Sequence, residues 1–184
     1  MPERHDQVSD PRVRLGLEHA RRGTALFSRK LAELTDDLLA EPSLVAGWSR
    51  AQVVARVGYQ GRSLAVALEE ERTGVPGEAP ATRWLDEDAI AFAATLPPLA
   101  LRHLHAHAAV HINVEWRDRP DADWLTAVDV GGVQLQVADT PWVRAREVWS
   151  AAVALGNGAR LDQVPLDCRA PWPPHAAPVL AGTI

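Results

Sequence analysis

The sequence predicts an all-α protein, folded as a four-helix bundle. Four segments repeat apolar residues every three or four positions, which is the spacing of one buried helix face. Stretches rich in proline and glycine separate these segments and give each helix an end. With 184 residues, 47% of them apolar, the chain can bury one core of ordinary size. We expect one bundle domain over residues 12–165, between a flexible N-terminus (residues 1–11) and a Pro-rich tail (residues 166–184).

The first two helices form the first half of the predicted bundle. Apolar residues at helical spacing predict a first helix over residues 12–39. Ser49 and Gln52 then have the spacing of a capping box, in which each side chain binds the other residue's backbone N–H. A second helix is therefore predicted to begin there and to run to about Arg72.

After a loop, residues 85–94 form a short helical stretch, and residues 99–117 repeat apolar positions as a third long helix. Alternating valines flank Gly131 and Gly132, which is typical of a β-hairpin with a two-residue turn. Thr140 and Pro141 are predicted as N-cap and first residue of the last helix, residues 142–155.

Charge and composition exclude several classes of function. The net charge is −5 and the 19 basic residues are scattered, so a nucleic-acid-binding surface is not expected. No apolar run approaches the roughly 18 residues that span a membrane, and the N-terminus lacks a signal sequence, so we expect a cytoplasmic protein. The single cysteine, Cys168, excludes an intramolecular disulfide. One lysine among the basic residues, with abundant alanine, is typical of a GC-rich genome and favours an actinobacterial source.

Two stretches resemble a known family. Residues 47–57 read Gly-Trp-Ser-Arg-Ala-Gln-Val-Val-Ala-Arg-Val, and residues 142–156 read Trp-Val-Arg-Ala-Arg-Glu-Val-Trp-Ser-Ala-Ala-Val-Ala-Leu-Gly. Both resemble the N-terminal domain of mycothiol-dependent maleylpyruvate isomerases, in the DinB-like superfamily. The Leu-His-x-His stretch at residues 104–107 and the hairpin before the last helix follow the family's order. The resemblance implies a DinB-like four-helix bundle.

The resemblance also implies where a metal site would lie. In that family a divalent metal, usually zinc, is held by a histidine of the second helix and a Glu-x-x-x-His pair of the last helix, and it works with mycothiol. Glu147 matches the glutamate, but Arg56 and Ala151 replace the two histidines. Because arginine stays protonated and cannot coordinate a metal, no metal is predicted at this site. Mycothiol stays open as a cofactor, and zinc is not expected.

If the fold carries over, Arg56 and Glu147 face each other and form an ion pair. Two interpretations stay open. The pair neutralises a buried charge, or it is catalytic, with Glu147 as general base and Arg56 as a clamp for an oxyanion or carboxylate.

Further candidates for substrate binding are Trp48, Tyr59, His105 and His107. Tyr59 lies one helical turn from Arg56, although a structural hydroxyl is the alternative. For His105, the alternative to substrate binding is a packing role with a satisfied hydrogen bond.

His103, His107 and His111 lie four residues apart on one helix face, and we call them the histidine ladder. Two neighbours on this ladder could bind a metal or relay a proton. We find no carboxylate at a fixed spacing beside them, and exposed helical histidines are common.

These observations predict a metal-independent enzyme that acts on a small molecule, isomerase- or cyclase-like and suited to secondary metabolism. One alternative is a non-catalytic protein that binds a ligand or a partner. Another is a mycothiol-dependent isomerase or thiol transferase. The expected partner is a small-molecule ligand rather than nucleic acid or membrane, and homodimerisation through helix faces stays open.

Overall fold

The computed structural model describes residues 6–77 and 84–169. They form a mainly helical protein with one antiparallel hairpin before the last helix, which confirms the predicted fold class. The elements are α1 (Pro11–Ala32), α2 (Arg50–Thr73), α3 (Glu87–Ala93), α4 (Pro98–Arg117), β1 (Ala127–Val130), β2 (Val133–Gln136) and α5 (Thr140–Ala154).

Helices α1 and α5 pack closely and run in the same direction. The indole of Trp142 donates to the carbonyl of Arg12 at 3.2 Å, and that of Trp149 donates to the carbonyl of His19 at 3.0 Å. Residue numbers therefore increase in the same direction along both helices, which makes α1 and α5 parallel.

Helices α2 and α4 also pack closely and run in parallel. Gly58 lies against Leu104, and further along the helices Arg72 binds Glu115. The chain returns to the same end of the bundle between these two helices, because parallel neighbours need a long crossover. The C-terminal ends of α2 and α4 therefore meet at the same end of the bundle.

Local signals in the sequence set several boundaries correctly. The Ser49 backbone N–H donates to Gln52 Oε1 at 2.8 Å, and the Gln52 N–H donates to Ser49 Oγ at 3.3 Å, which is the predicted capping box. The hairpin turns at Gly131 and Gly132, whose φ angles of 67° and 85° are those that a two-residue turn requires.

The predicted end of the first helix at residue 39 is wrong. Helix α1 ends at Ala32, and a separate 3₁₀ turn covers Asp37–Leu39. Arg102 of α4 donates to the carbonyls of Leu31 and Leu34 at 2.7 Å each. This side chain satisfies carbonyls that would otherwise need a continued helix.

The predicted N-cap of the last helix is also wrong. Helix α5 begins at Thr140 itself, and Asp139 takes the N-cap position. The Thr140 hydroxyl donates to the carbonyl of Val137 and accepts from the indole of Trp116 at 3.0 Å. The buried indole needs an acceptor, and Thr140 supplies it instead of capping the helix.

The described ends of the chain contact the bundle. Asp6 binds Arg21 at 2.6 Å, and Val8 is buried. At the other end a 3₁₀ turn, Leu166–Cys168, buries Cys168, and burial raises the pKa of its thiol to about 11. The thiol is thus protonated at neutral pH.

Residues 1–5 and 170–184, including most of the predicted tail, lie outside the described residues, and the domain boundaries stay a prediction. No helix in residues 6–77 or 84–169 is long and apolar enough to cross a membrane.

The contact between α1 and α5 makes Gly23 a test of the fold. A Cβ atom at this position would lie 2.6 Å from Val148 Cγ2 and 2.8 Å from Trp149 Cδ1. We expect Gly23→Ala to lower the free energy of unfolding by about 1–3 kcal/mol, despite the higher helix propensity of alanine. Urea denaturation measures this, with the exposed Arg29→Ala expected to change stability by less than about 0.5 kcal/mol. A stabilised Gly23→Ala variant would contradict this packing.

Candidate functional site

The centre of the candidate site is an ion pair between α2 and α5. Arg56 Nε donates to Glu147 Oε1 at 3.1 Å, and only 8% and 2% of the two side chains are exposed. The sequence predicted this contact, and the structure confirms it. Its catalytic role stays a prediction.

Trp84 covers the arginine of this pair. Arg56 Nη1 donates to the Trp84 carbonyl at 2.8 Å, and the guanidinium lies 5.4 Å from the centre of the indole ring. This arrangement is a cation–π contact. The sequence held no signal for it, because Trp84 belongs to the loop before α3, 28 residues further along the chain.

A second arginine, Arg144, is fully buried beside the pair. It lies one helical turn before Glu147, and its Nη1 donates to the Val57 carbonyl at 2.7 Å and to Gln60 Oε1 at 2.8 Å. Gly61 makes room for it, because a Cβ there would approach the guanidinium carbon to 3.0 Å. The Arg-x-x-Glu spacing places both charged residues on one helix face, and it is the signal that sequence analysis missed.

The hydrogen bonding of Arg144 is incomplete. Its Nε and Nη2 groups are buried and have no hydrogen-bond partner among the described residues. Burial lowers its pKa to about 10, opposed by the charge of Glu147, so it is still protonated at neutral pH. Two guanidinium groups thus stand against one carboxylate, and buried donors of this kind favour an anion or an ordered water.

His105 lies in the core rather than in an open pocket. It is buried, its Nε2 lies 2.8 Å from Ser28 Oγ, and its ring meets Phe27 edge-on at 4.9 Å. Burial, and then the charge of Arg144, lower its pKa to about 3. These contacts favour the packing role, and ligand binding by His105 stays a prediction.

The other three candidates have different surroundings. Tyr59 packs partly buried at the edge of the core. Trp48 lines a surface groove of about 580 Å³ whose lining contains neither Arg56 nor Glu147. His107 is exposed and stacks on His103 at 5.7 Å. Substrate binding by these residues stays a prediction.

The residues at this site do not fit zinc. Ala151 is buried in the core and offers no ligand atom, and Arg56 brings a fixed positive charge to the carboxylate of Glu147. A zinc site in a protein needs three or four donor side chains. The Arg56–Glu147 site therefore does not fit the family's metal.

A different cluster does contain metal-binding side chains. Glu69 of α2 and His111 and Glu115 of α4 bring ligand atoms within 4.8 Å of one another. The expectation that no carboxylate stands at a fixed spacing from the histidine ladder is thus wrong, because Glu115 follows His111 by four residues. That spacing was the signal in the sequence, and Glu69 could be added only by the packing of α2 on α4.

The helix order, the hairpin before α5 and the polar residues between α2 and α5 define a DinB-like bundle. The family model of the mycothiol maleylpyruvate isomerase N-terminal domain matches residues 20–155, so the chain belongs to that family.

Two solved structures are similar to this chain. A crystal structure of the mycothiol-dependent maleylpyruvate isomerase is 34% identical with a TM-score of 0.73, and one of its His-to-Ala mutant is 34% identical with a TM-score of 0.74. Each match covers 85% of this chain and 65% of that isomerase. The chain thus spans slightly less than two thirds of the isomerase. No curated protein matches it.

Because the ion pair is buried, we expect a large loss of stability when it is broken. Arg56→Ala should lower the free energy of unfolding by about 3–5 kcal/mol, because it removes the direct partner of a buried carboxylate. Arg56→Lys, which keeps a positive charge beside Glu147, should recover part of this loss. Urea denaturation measures both, with the exposed Arg62→Ala as control. A loss below about 1 kcal/mol for Arg56→Ala would show that the pair is solvated.

The low pKa of His105 predicts acid sensitivity. Between about pH 6.5 and pH 3 the unfolded chain protonates this imidazole and the folded chain does not, so stability falls as the pH falls through this window. The contribution of this residue is at most about 1.4 kcal/mol per pH unit. His105→Gln should therefore lose less stability than the wild type between pH 7 and pH 4.5, as measured by urea denaturation. Equal losses in the two proteins would contradict the assignment.

Proposed function

We propose that the chain is a metal-independent enzyme of the isomerase type that acts on a small molecule bearing a carboxylate. The observation that supports the proposal is the buried Arg56–Glu147 pair, with Arg144 as a second cation beside it. The site combines a carboxylate that can take a proton with guanidinium groups that can bind an anion.

Arginine suits the binding role in this proposal. A guanidinium presents parallel N–H groups that match the two oxygens of a carboxylate. Arg144 adds two buried donor nitrogens, Nε and Nη2, without a partner among the described residues. In this proposal they bind the substrate carboxylate or the oxygen on which negative charge develops.

Binding and catalysis are coupled through Arg56. While the guanidinium donates to Glu147, one carboxylate oxygen is occupied by this hydrogen bond. A substrate carboxylate that takes over the Arg56 hydrogen bond would free this Glu147 oxygen to accept a proton. Glu147 then removes a proton from a carbon next to a carbonyl, the electron pair moves onto oxygen beside a guanidinium, and the proton returns to carbon in the isomerised product.

Mycothiol dependence is a second candidate, and it is favoured by the same unpartnered Nε and Nη2 groups of Arg144. The similar isomerase is mycothiol-dependent by name. Arg56 and Arg144 would hold an anionic group, and positive neighbours favour a thiolate over a thiol. Bound there, mycothiol would supply a nucleophilic sulfur.

The experiment uses the full chain freed of metal by EDTA. It is incubated in D₂O with pyruvate and separately with maleylpyruvate, each with and without mycothiol. Proton NMR follows deuterium exchange next to the carbonyl and conversion of the cis to the trans isomer. We expect a reaction without metal, reduced by about 100-fold or more in Glu147→Gln and unchanged in the exposed Glu41→Gln.

The outcomes separate the alternatives. A reaction that needs mycothiol would favour the thiol-dependent enzyme. Saturable binding of the two acids without exchange or isomerisation would favour the non-catalytic ligand-binding protein. Activity in Glu147→Gln equal to the wild type, or neither binding nor reaction, would overturn the proposal.

A further inference from the structure

The end of the bundle where α2 and α4 finish carries a cluster of charged side chains outside the Arg56–Glu147 site. Glu69 Oε2 lies 3.2 Å from His111 Nε2. Glu115 is buried, and its two oxygens accept from Arg72 Nε and Nη2 at 2.9 Å each. One imidazole and two carboxylates therefore meet within 4.8 Å.

The electrostatics of this cluster favour a cation. Two carboxylates, Glu69 and Glu115, lie beside one guanidinium, that of Arg72, which donates to both oxygens of Glu115. Because α2 and α4 run in parallel, the negative ends of both helix dipoles also lie here. Glu69 is four residues from the end of α2, and Glu115 is two residues from the end of α4.

We propose that Glu69, His111 and Glu115 form a binding site for a divalent transition metal that ties the C-terminal end of α2 to α4. One imidazole nitrogen and two carboxylate oxygens are donors that Zn²⁺, Co²⁺ and Mn²⁺ accept, and three protein ligands leave a position for water. The i, i+4 spacing of His111 and Glu115 directs both toward one ion, and Glu69 supplies the donor from the second helix.

Arg72 is the group with which the metal competes. Its side chain is 46% exposed, whereas that of Glu115 is 4% exposed. The guanidinium can therefore move into solvent while Glu115 keeps its position. In the metal-free protein Arg72 neutralises the buried carboxylate, and the metal takes over this role when it binds.

The test is a titration of Zn²⁺ into the full, EDTA-treated chain by isothermal titration calorimetry. We expect one ion per chain. His111→Ala should raise the Kd by about tenfold or more, and Glu69→Gln should also raise it. The matched controls are His107→Ala and His103→Ala, which remove exposed histidines from the same helix and should leave the Kd unchanged.

Arg72→Gln gives a result in the opposite direction. Removing the competing charge should lower the Kd by about fivefold. Because this variant also leaves Glu115 without its guanidinium, Zn²⁺ should raise its Tm more than that of the wild type. A merely structural Arg72–Glu115 pair would not produce this difference.

Three results would overturn the proposal. The first is that the wild type does not bind Zn²⁺ stoichiometrically. The second is that His111→Ala binds Zn²⁺ as tightly as the wild type, and the third is that His103→Ala or His107→Ala loses binding. The last would assign the ion to the exposed part of the histidine ladder instead.

Discussion

The buried charge between α2 and α5 is the constraint on which the candidate site depends. A carboxylate as deeply buried as Glu147 needs a cation, because an unpaired charge in a protein interior costs several kcal/mol. In this chain Arg56 meets that need, and the close packing of α2 on α5 brings the two together. An arginine at position 56, where the family resemblance implies a histidine, has two consequences. Its guanidinium neutralises the carboxylate of Glu147, and its positive charge prevents a metal from binding there.

The packing of the bundle supports the same site. Gly61 leaves space for the Arg144 guanidinium, and Gln60 orients it by a hydrogen bond. Arg144 adds a positive charge that Glu147 alone does not balance. The interior between α2 and α5 is thus more basic than its ion pair suggests, which explains why we expect an anionic ligand rather than a neutral one.

The parallel direction of α2 and α4 has a different consequence at the end of the bundle. It places two helix C-termini, and the acidic side chains near them, side by side. Negative dipole ends and carboxylates both favour cations, so Arg72 and Glu115 pair there in the metal-free chain. These two sites therefore have opposite character: the interior site is basic, and the end of the bundle is acidic.

The sequence by itself determined the helices, the hairpin, the capping box at Ser49 and the pairing of Arg56 with Glu147. Periodicity, capping hydrogen bonds and the two family-like motifs depend on residues close together in the sequence. They can therefore be recognised before the fold is known. Only the tertiary structure decided the end of α1 and the role of Thr140, because Arg102 and Trp116 act on them from α4. It also decided the burial of Arg144, the cover by Trp84 and the meeting of Glu69 with His111. Each of these contacts joins residues distant in sequence, and which of them meet depends on how the helices pack.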